Sequence, residues 1–118
     1  MEPVIAEVLD ANRAFYDAHE AVWEHHDHVV CVHPGWPILR TWAHVEESWR
    51  RIFDGPGRNQ FILTNEAVAV HGDTAWVTLD ENLVDAGGTG TVAATNLYVR
   101  RDGRWLLVAH HGSPVIAS

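Results

Sequence analysis

Residues 90–115, GTVAATNLYVRRDGRWLLVAHHGSPV, contain two runs of β-forming residues joined by an Asp-Gly pair. Asp-Gly between such runs is a strong signal for a β-hairpin. Two similar runs precede them, NQFILTNEAVAV (59–70) and TAWVTLDENLV (74–84), with turn residues HGD (71–73) and DAGGT (85–89) after each. The second half of the chain is therefore predicted to form a four-stranded antiparallel meander.

The first half alternates helical and extended patterns. Residues 3–26 place apolar side chains on one helical arc and charged ones opposite, and Asn12 and His19 fall on the apolar arc. HVVCVH (28–33) is predicted to form a short strand that ends at Pro34-Gly35, and residues 41–55 are predicted to form a second helix with Thr41 as a candidate N-cap. The order predicts an α+β fold, with helices on one face of a curved, mostly antiparallel sheet.

Composition excludes several classes of protein. The chain has 118 residues, which we expect to form a single domain over 1–118, and it has no apolar run long enough for a membrane span. A net charge of −8 argues against a nucleic-acid partner, and the absence of lysine excludes a lysine Schiff base. Because the acidic N-terminus is unlike a signal peptide and one cysteine cannot form an internal disulfide, we expect a cytoplasmic protein.

Six segments together resemble the NTF2-like superfamily, and in particular its SnoaL-like and ketosteroid-isomerase-like branch. They are ANRAFYDA (11–18), VVCVHPGWPILR (29–40), SWRRIF (48–53), GDTAWVTLDENL (72–83), ATNLYVRRDGRW (94–105) and HHGSPV (110–115). The resemblance implies a cone-shaped α+β barrel around one deep apolar pocket for a small apolar molecule. It also implies a homodimer formed through the outer face of the sheet, and chemistry without a cofactor.

The resemblance also implies roles for particular residues. His33 takes the position of the base, and Tyr16 and Asn96 take those of donors to the developing negative charge. This chain has an imidazole where the relatives have a carboxylate base, and an amide where they have a carboxylic acid. Only sixteen residues separate Tyr16 from His33, so the first two helices of the family are expected to be merged, trimmed or short of a loop.

Further residues are expected to line the pocket. Cys31 shares a strand face with His33, and the resemblance directs His110 inward and His111 outward. Asp80 and Glu81 lie on opposite strand faces, and the pattern does not choose between them. The predicted pocket residues are Asn12, His19, Cys31, Trp36, Asp80, Tyr98 and His110.

Three functions remain open on these residues. The first is proton transfer on an apolar carbonyl compound by an isomerase or cyclase, with His33 as base. The second is a binding or dimerisation module without chemistry. The third is a metal site at His25, His26 and His28, which we rank lowest because the spacing matches no closed zinc pattern and imidazoles at a helix C-terminus are favourable in water. We expect no metal, and Cys31 lacks the surroundings of a nucleophile.

Overall fold

The computed structural model describes residues 2–54, 60–85 and 88–116. It contains two α-helices, one short 3₁₀ turn and six strands. Their bounds are α1 Pro3–Tyr16, the 3₁₀ turn Glu20–Val22, β1 Val30–Val32, β2 Leu39–Arg40, α2 Trp42–Asp54, β3 Gln60–His71, β4 Thr74–Asp85, β5 Gly88–Arg101 and β6 Arg104–Pro114.

The six strands form one curved sheet in the order β2-β1-β6-β5-β4-β3, which stays open in the described part of the chain. All neighbouring pairs are antiparallel except β1 and β6, which run parallel. Both helices pack on one face of this sheet, so the predicted α+β architecture is confirmed. The predicted meander corresponds to β3–β6, whereas β2 was not predicted.

The prediction of one helix over residues 3–26 was wrong at its C-terminal end. α1 ends at Tyr16, and Ala18 has a φ of 64° in the left-handed region, which a continuous helix cannot contain. A single 3₁₀ turn replaces the rest, and the Glu24 backbone N–H donates to the Leu107 carbonyl at 3.0 Å. The Arg101 guanidinium also donates to the Glu24 carboxylate at 2.9 Å. Glu24, just after the 3₁₀ turn, is therefore fixed to both β5 and β6.

Two β-bulges decide which side chains face the helices. In β3, Asn65 and Glu66 together oppose Leu79, because Thr64 pairs with Asp80 and Ala67 with Thr78. In β6, Val108 is the extra residue between the Tyr98–Leu107 and Leu97–Ala109 pairs. A bulge changes the inside–outside alternation of the residues that follow it.

The core lies between the inner face of the sheet and the two helices. Side chains that alternate along β4 and β5 pack against α1 and α2, with Tyr98 and Val77 fully buried. Val8 and Phe15 face the sheet from α1, and Val45 does so from α2. Within the described residues, no helix is long and apolar enough to cross a membrane.

Candidate functional site

A cavity of about 710 Å³ opens between the sheet and the two helices. Most of its wall is apolar, and four polar side chains with little solvent exposure also line it: Tyr16, His33, Glu81 and His110. Their apolar neighbours in the wall include Phe15, Trp36, Trp49, Ile52, Phe61, Leu83 and Val92. An apolar cavity with a few convergent polar groups is the usual form of a small-molecule site.

The turn after β1 holds His33 at the cavity. The His33 carbonyl accepts the Trp36 backbone N–H at 2.9 Å, with Pro34 next and Gly35 at a φ of 82°. These features match a type II turn, whose third residue favours glycine. The turn also places Trp36 in the wall, with its ring centroid 4.9 Å from that of His33.

His33 is 2% exposed and is held by α2. Its Nε2 lies 2.8 Å from the Ser48 Oγ and 3.7 Å from the Cys31 Sγ. Burial lowers the pKa of His33 to about 4, so its imidazole is neutral at pH 7. Burial raises the pKa of the Cys31 thiol to about 12, and the Glu81 charge adds to this effect, which opposes a nucleophilic thiolate.

Glu81 is the carboxyl group of the cavity. It alternates along β4 with Val77 and Leu79, and is 4% exposed. The Tyr16 hydroxyl donates to its Oε2 at 2.5 Å. Burial raises the pKa of Glu81, and the hydrogen bond from Tyr16 acts in the opposite direction.

Asn96 connects this carboxyl to the second imidazole of the cavity. Its amide nitrogen donates to the Tyr16 hydroxyl oxygen at 3.1 Å and to the Asn12 Oδ1 at 2.9 Å. Its Oδ1 lies 2.5 Å from the His110 Nδ1. Both amide hydrogens of Asn96 are thus engaged, so this side chain positions other residues and does not itself reach a ligand.

His110 faces the cavity because of the bulge at Val108. Without that bulge, the alternation from Trp105 and Leu107 would direct His111 inward. Burial lowers the pKa of His110 to about 3, and the nearby imidazoles of His33 and His111 contribute. The rings of His33 and His110 are 6.5 Å apart between centroids.

The structure brings four of the ten predicted site residues to the cavity wall: Tyr16, His33, Trp36 and His110. A second group lies directly behind that wall, where its members are buried: Asn12, Cys31, Asn96 and Tyr98. The Tyr98 hydroxyl donates to the Asn12 Oδ1 at 2.6 Å, so these two residues support Asn96 and do not line the cavity.

Two predicted pocket residues lie elsewhere. Asp80 points to the outer face of the sheet, because it follows Trp76 and Thr78 in the alternation of β4. His19 is exposed and lines a separate small cleft beside Trp23 and Trp42, because α1 ends before it. The sequence left open which of Asp80 and Glu81 faces the cavity, and the structure places Glu81 there.

Three contributors were not predicted as site residues, although two of them had a signal in the sequence. Glu81 continues the apolar alternation of Ala75, Val77 and Leu79, and Ser48 lies on the stripe of α2 that contains Val45 and Trp49. Glu66, whose carboxylate accepts from the Asn12 amide at 3.0 Å, is turned inward by the bulge in β3. No sequence pattern marks that bulge in advance.

The histidines after the first helix have separate surroundings. His25 stacks on Trp42 with centroids 4.2 Å apart, His28 contacts the Glu24 carboxylate, and His26 stacks on His28. Across residues 2–54, 60–85 and 88–116, no group of three or more ligand-type side chains lies close enough to hold a metal ion.

Comparison with known families gives a match over nearly the whole chain. The SnoaL-like domain family matches residues 4–117. The F-box protein SKIP8 of Arabidopsis thaliana is 28% identical over 95 residues, which are 80% of this chain and 40% of that protein. The chain therefore spans about two fifths of the length of this curated relative.

Solved structures give two matches with higher sequence identity. A proposed dehydratase of the NTF2-like family from Streptomyces avermitilis is 34% identical, with a TM-score of 0.85 and coverage of 96% of this chain and 97% of that one. A proposed calcium/calmodulin-dependent protein kinase type II association domain from Thiobacillus denitrificans is 35% identical, with a TM-score of 0.74 and coverage of 89% and 92%.

Proposed function

The chain belongs to the SnoaL-like domain family, and from that premise we propose that it binds a small, largely apolar carbonyl compound and transfers a proton on it without a cofactor. The proposal extends to an isomerisation, an aldol-type cyclisation or an elimination. We further propose that the protein acts in the cytoplasm, where its buried free thiol at Cys31 suits a reducing compartment.

The observation that carries the proposal is that an imidazole, His33, and a carboxyl group, Glu81, are both buried and line one largely apolar cavity. Burial lowers the pKa of His33 to about 4 and raises the pKa of Glu81. A shift in these directions favours a free imidazole beside a protonated carboxyl. Two titratable groups whose environments favour complementary protonation states are the usual arrangement for general acid–base catalysis.

The proposed step starts at His33. Its imidazole takes the proton from the carbon next to the carbonyl, and the electron pair of that C–H bond moves toward the carbonyl oxygen. The Glu81 carboxyl donates a hydrogen bond, or its proton, to this oxygen. The Tyr16 hydroxyl, which donates to the other Glu81 oxygen at 2.5 Å, stabilises the carboxylate as it forms. In an unsaturated ketone, the imidazole then returns its proton to another carbon of the conjugated enol while any proton held by the oxygen goes back to Glu81, which completes an isomerisation.

An elimination uses the same two groups. The base takes the same proton, and the acid protonates a hydroxyl leaving from the neighbouring carbon, so that one water is released. The likeness to a proposed dehydratase, 34% identical over nearly the full length of both chains, supports this version of the chemistry.

Deuterium exchange tests the proposal without knowledge of the natural substrate. 4-Hydroxy-4-phenylcyclohexanone has enolisable hydrogens, and NMR in D₂O follows their exchange. The wild-type protein should accelerate exchange over buffer, and His33→Gln and Glu81→Gln should each lose about a hundredfold of this effect. The matched controls are His111→Gln and Asp80→Asn, which change the same residue types on the outer face. Equal losses in controls and cavity variants, or no acceleration by the wild type, would overturn the proposal.

A second candidate is a dimerisation module without catalysis. The likeness to a proposed kinase association domain favours it, as does the outer face of the sheet, where Ile62 is 58% exposed and Trp76 is 40% exposed. Exposed large apolar side chains on one face are typical of an interaction surface. We propose a homodimer through this face in either case, because catalysis in the cavity and pairing through the opposite face are compatible.

A further inference from the structure

We infer that the cavity recognises a hydroxyl group of its ligand through two imidazole nitrogens that carry no hydrogen, His110 Nε2 and His33 Nδ1. Asn96 and Ser48 are the positioning residues that fix these tautomers. The inference rests on the proposed function only in assuming that the cavity takes a small molecule. It concerns which groups of that molecule are bound; when His33 Nδ1 acts as the base, His110 Nε2 alone accepts from the hydroxyl.

The first constraint on His110 comes from Glu66. A carboxylate can only accept, so the Asn12 side chain must present its nitrogen to Glu66, at 3.0 Å. The Asn12 oxygen is then turned inward, where it accepts from the Tyr98 hydroxyl at 2.6 Å. The same oxygen lies 2.9 Å from the Asn96 amide, which must therefore present its nitrogen.

A second constraint comes from the opposite direction and agrees with the first. Tyr16 has one hydroxyl hydrogen, and it is donated to Glu81 at 2.5 Å. The Tyr16 oxygen can therefore only accept from Asn96, at 3.1 Å. Both paths place the Asn96 nitrogen away from His110. The orientation of the Asn96 amide is therefore fixed by its hydrogen-bond partners, although its nitrogen and oxygen atoms have nearly the same shape.

The tautomer of His110 follows. The Asn96 Oδ1 is left to face the His110 Nδ1 at 2.5 Å, so Nδ1 must carry the hydrogen. In the neutral ring, Nε2 is then the acceptor, on a side chain that is 3% exposed and lines the cavity.

The tautomer of His33 is fixed by a different residue, Ser48. The Ser48 hydroxyl donates its hydrogen to the Val45 carbonyl at 2.7 Å, so its oxygen can only accept from the His33 Nε2 at 2.8 Å. Nδ1 is then the bare nitrogen of His33. The two imidazoles, 6.5 Å apart between ring centroids, therefore both offer acceptors.

A ligand that satisfies these nitrogens must bring a hydrogen-bond donor. Buried acceptors without a donor are costly, and the apolar wall disfavours a charged donor such as an ammonium group. The Trp36 indole offers an N–H donor at the wall, but this residue is 37% exposed and lies toward solvent. A neutral hydroxyl group on an otherwise apolar compound is the complementary chemistry.

NMR of ¹⁵N-histidine-labelled protein tests the tautomers directly. Long-range ¹H–¹⁵N correlation identifies which nitrogen of each ring is protonated. We expect hydrogen on Nδ1 of His110 and on Nε2 of His33 in the wild-type protein, and the opposite assignment of either ring would overturn the inference. This readout needs neither turnover nor a ligand, so it is independent of the deuterium-exchange test.

A matched pair of probes tests the recognition. 4-Hydroxy-4-phenylcyclohexanone and 4-phenylcyclohexanone differ only in one hydroxyl group, and we expect the hydroxylated compound to bind about three- to tenfold more tightly. Ser48→Ala and Asn96→Leu should reduce this preference and release the tautomer of the ring each one holds. Asn96→Asp, which keeps an acceptor for His110 but loses the donors to Asn12 and Tyr16, should retain the His110 tautomer, and the exposed Ser113→Ala is the control.

The outcomes separate the two proposals. Preference for the hydroxylated probe that is lost in Ser48→Ala supports the inference, even if no exchange is catalysed. Equal binding of the two probes, tighter binding of the plain ketone, or binding of neither overturns it. Acceleration of exchange together with equal binding would leave the proposed function standing and the hydroxyl recognition wrong.

Discussion

At the scale of single residues, Glu81 distinguishes this cavity from an ordinary apolar core. It is a carboxyl group on the inner face of a sheet, where Val77 and Leu79 are its neighbours on the same strand face. Its hydrogen-bond partner in the described part of the chain is the Tyr16 hydroxyl. Buried acids are rare unless a function retains them, because burial penalises their charge.

Replacing Glu81 should therefore change how the stability of the protein depends on pH. The raised pKa of Glu81 means that the folded state loses stability as pH rises through that pKa, because the carboxylate must then be buried. Glu81→Gln removes this loss, so the free energy of unfolding of the variant should increase relative to that of the wild type from about pH 5 to about pH 8. Urea denaturation at both pH values measures this, with Asp80→Asn as the control. A wild-type-like pH dependence in Glu81→Gln would contradict the assignment.

At the scale of elements, the strand bulges explain what the sequence could and could not predict. The four long strands, the Asp102-Gly103 hairpin and α2 follow from local patterns, because turn residues and hydrophobic periodicity are local. The inward position of Glu66 depends on one inserted residue in β3, and that of His110 on one in β6. A bulge shifts the alternation without changing the composition of the strand, so alternation alone would direct His111 inward.

The candidate site could also be predicted only in part. The resemblance to a family predicted that His33, Tyr16 and His110 face the cavity, because these residues lie within the segments that carry the resemblance. The sequence left the choice between Asp80 and Glu81 open, and Asp80, which was counted among the predicted pocket residues, was wrong; the two are adjacent and only the register of β4 decides between them. The hydrogen-bond partners of Asn96 come from α1 and β6: Asn12 lies 84 residues before Asn96, and His110 lies 14 residues after it.

The bulge at Asn65 gives a prediction about β3. Asn65 has a φ of 57°, in the left-handed region that asparagine and glycine tolerate and β-branched residues do not. Asn65→Gly should leave stability within about 1 kcal/mol of the wild type, whereas Asn65→Val should lower it by about 1–3 kcal/mol. Thermal or urea unfolding measures both. Equal stability of the two variants would contradict the bulge.

At the scale of the whole molecule, the two buried imidazoles make stability depend on pH. The pKa of His33 is lowered to about 4 and that of His110 to about 3, both below the value in an unfolded chain. Between the folded and unfolded values the unfolded state binds more protons, so stability falls as pH decreases. The two imidazoles together should lower the free energy of unfolding by about 4 kcal/mol between about pH 6.5 and about pH 4.5, and the raised pKa of Glu81 offsets part of this drop.

Urea titrations across that range measure the slope, which should be smaller in His33→Gln and unchanged in His71→Gln, a variant of an exposed histidine at the end of β3. The slope is the relevant readout, because His33→Gln also alters packing and hydrogen bonding at every pH. A His33→Gln slope as steep as that of the wild type would contradict a neutral, buried His33.

Assembly is also a property of the whole molecule. Trp76 and Ile62 lie exposed on the outer face of the sheet, opposite the cavity. Light scattering after size exclusion should show a dimer for the wild type and a monomer for Trp76→Arg, which places a charge in the proposed interface. The same result for the exposed-helix control Glu7→Arg, or a Trp76→Arg dimer, would contradict pairing through this face.

The central claim is that a protonated Glu81 and a neutral His33 act together, and the pH dependence of deuterium exchange tests it most directly. The rate of exchange of 4-hydroxy-4-phenylcyclohexanone, corrected for buffer, would be measured from about pH 5 to about pH 9. The wild-type rate should fall on the alkaline side as Glu81 ionises. Glu81→Gln, slower throughout, should lack this fall because its amide stays a donor at every pH. An alkaline fall that persists unchanged in Glu81→Gln would contradict the claim.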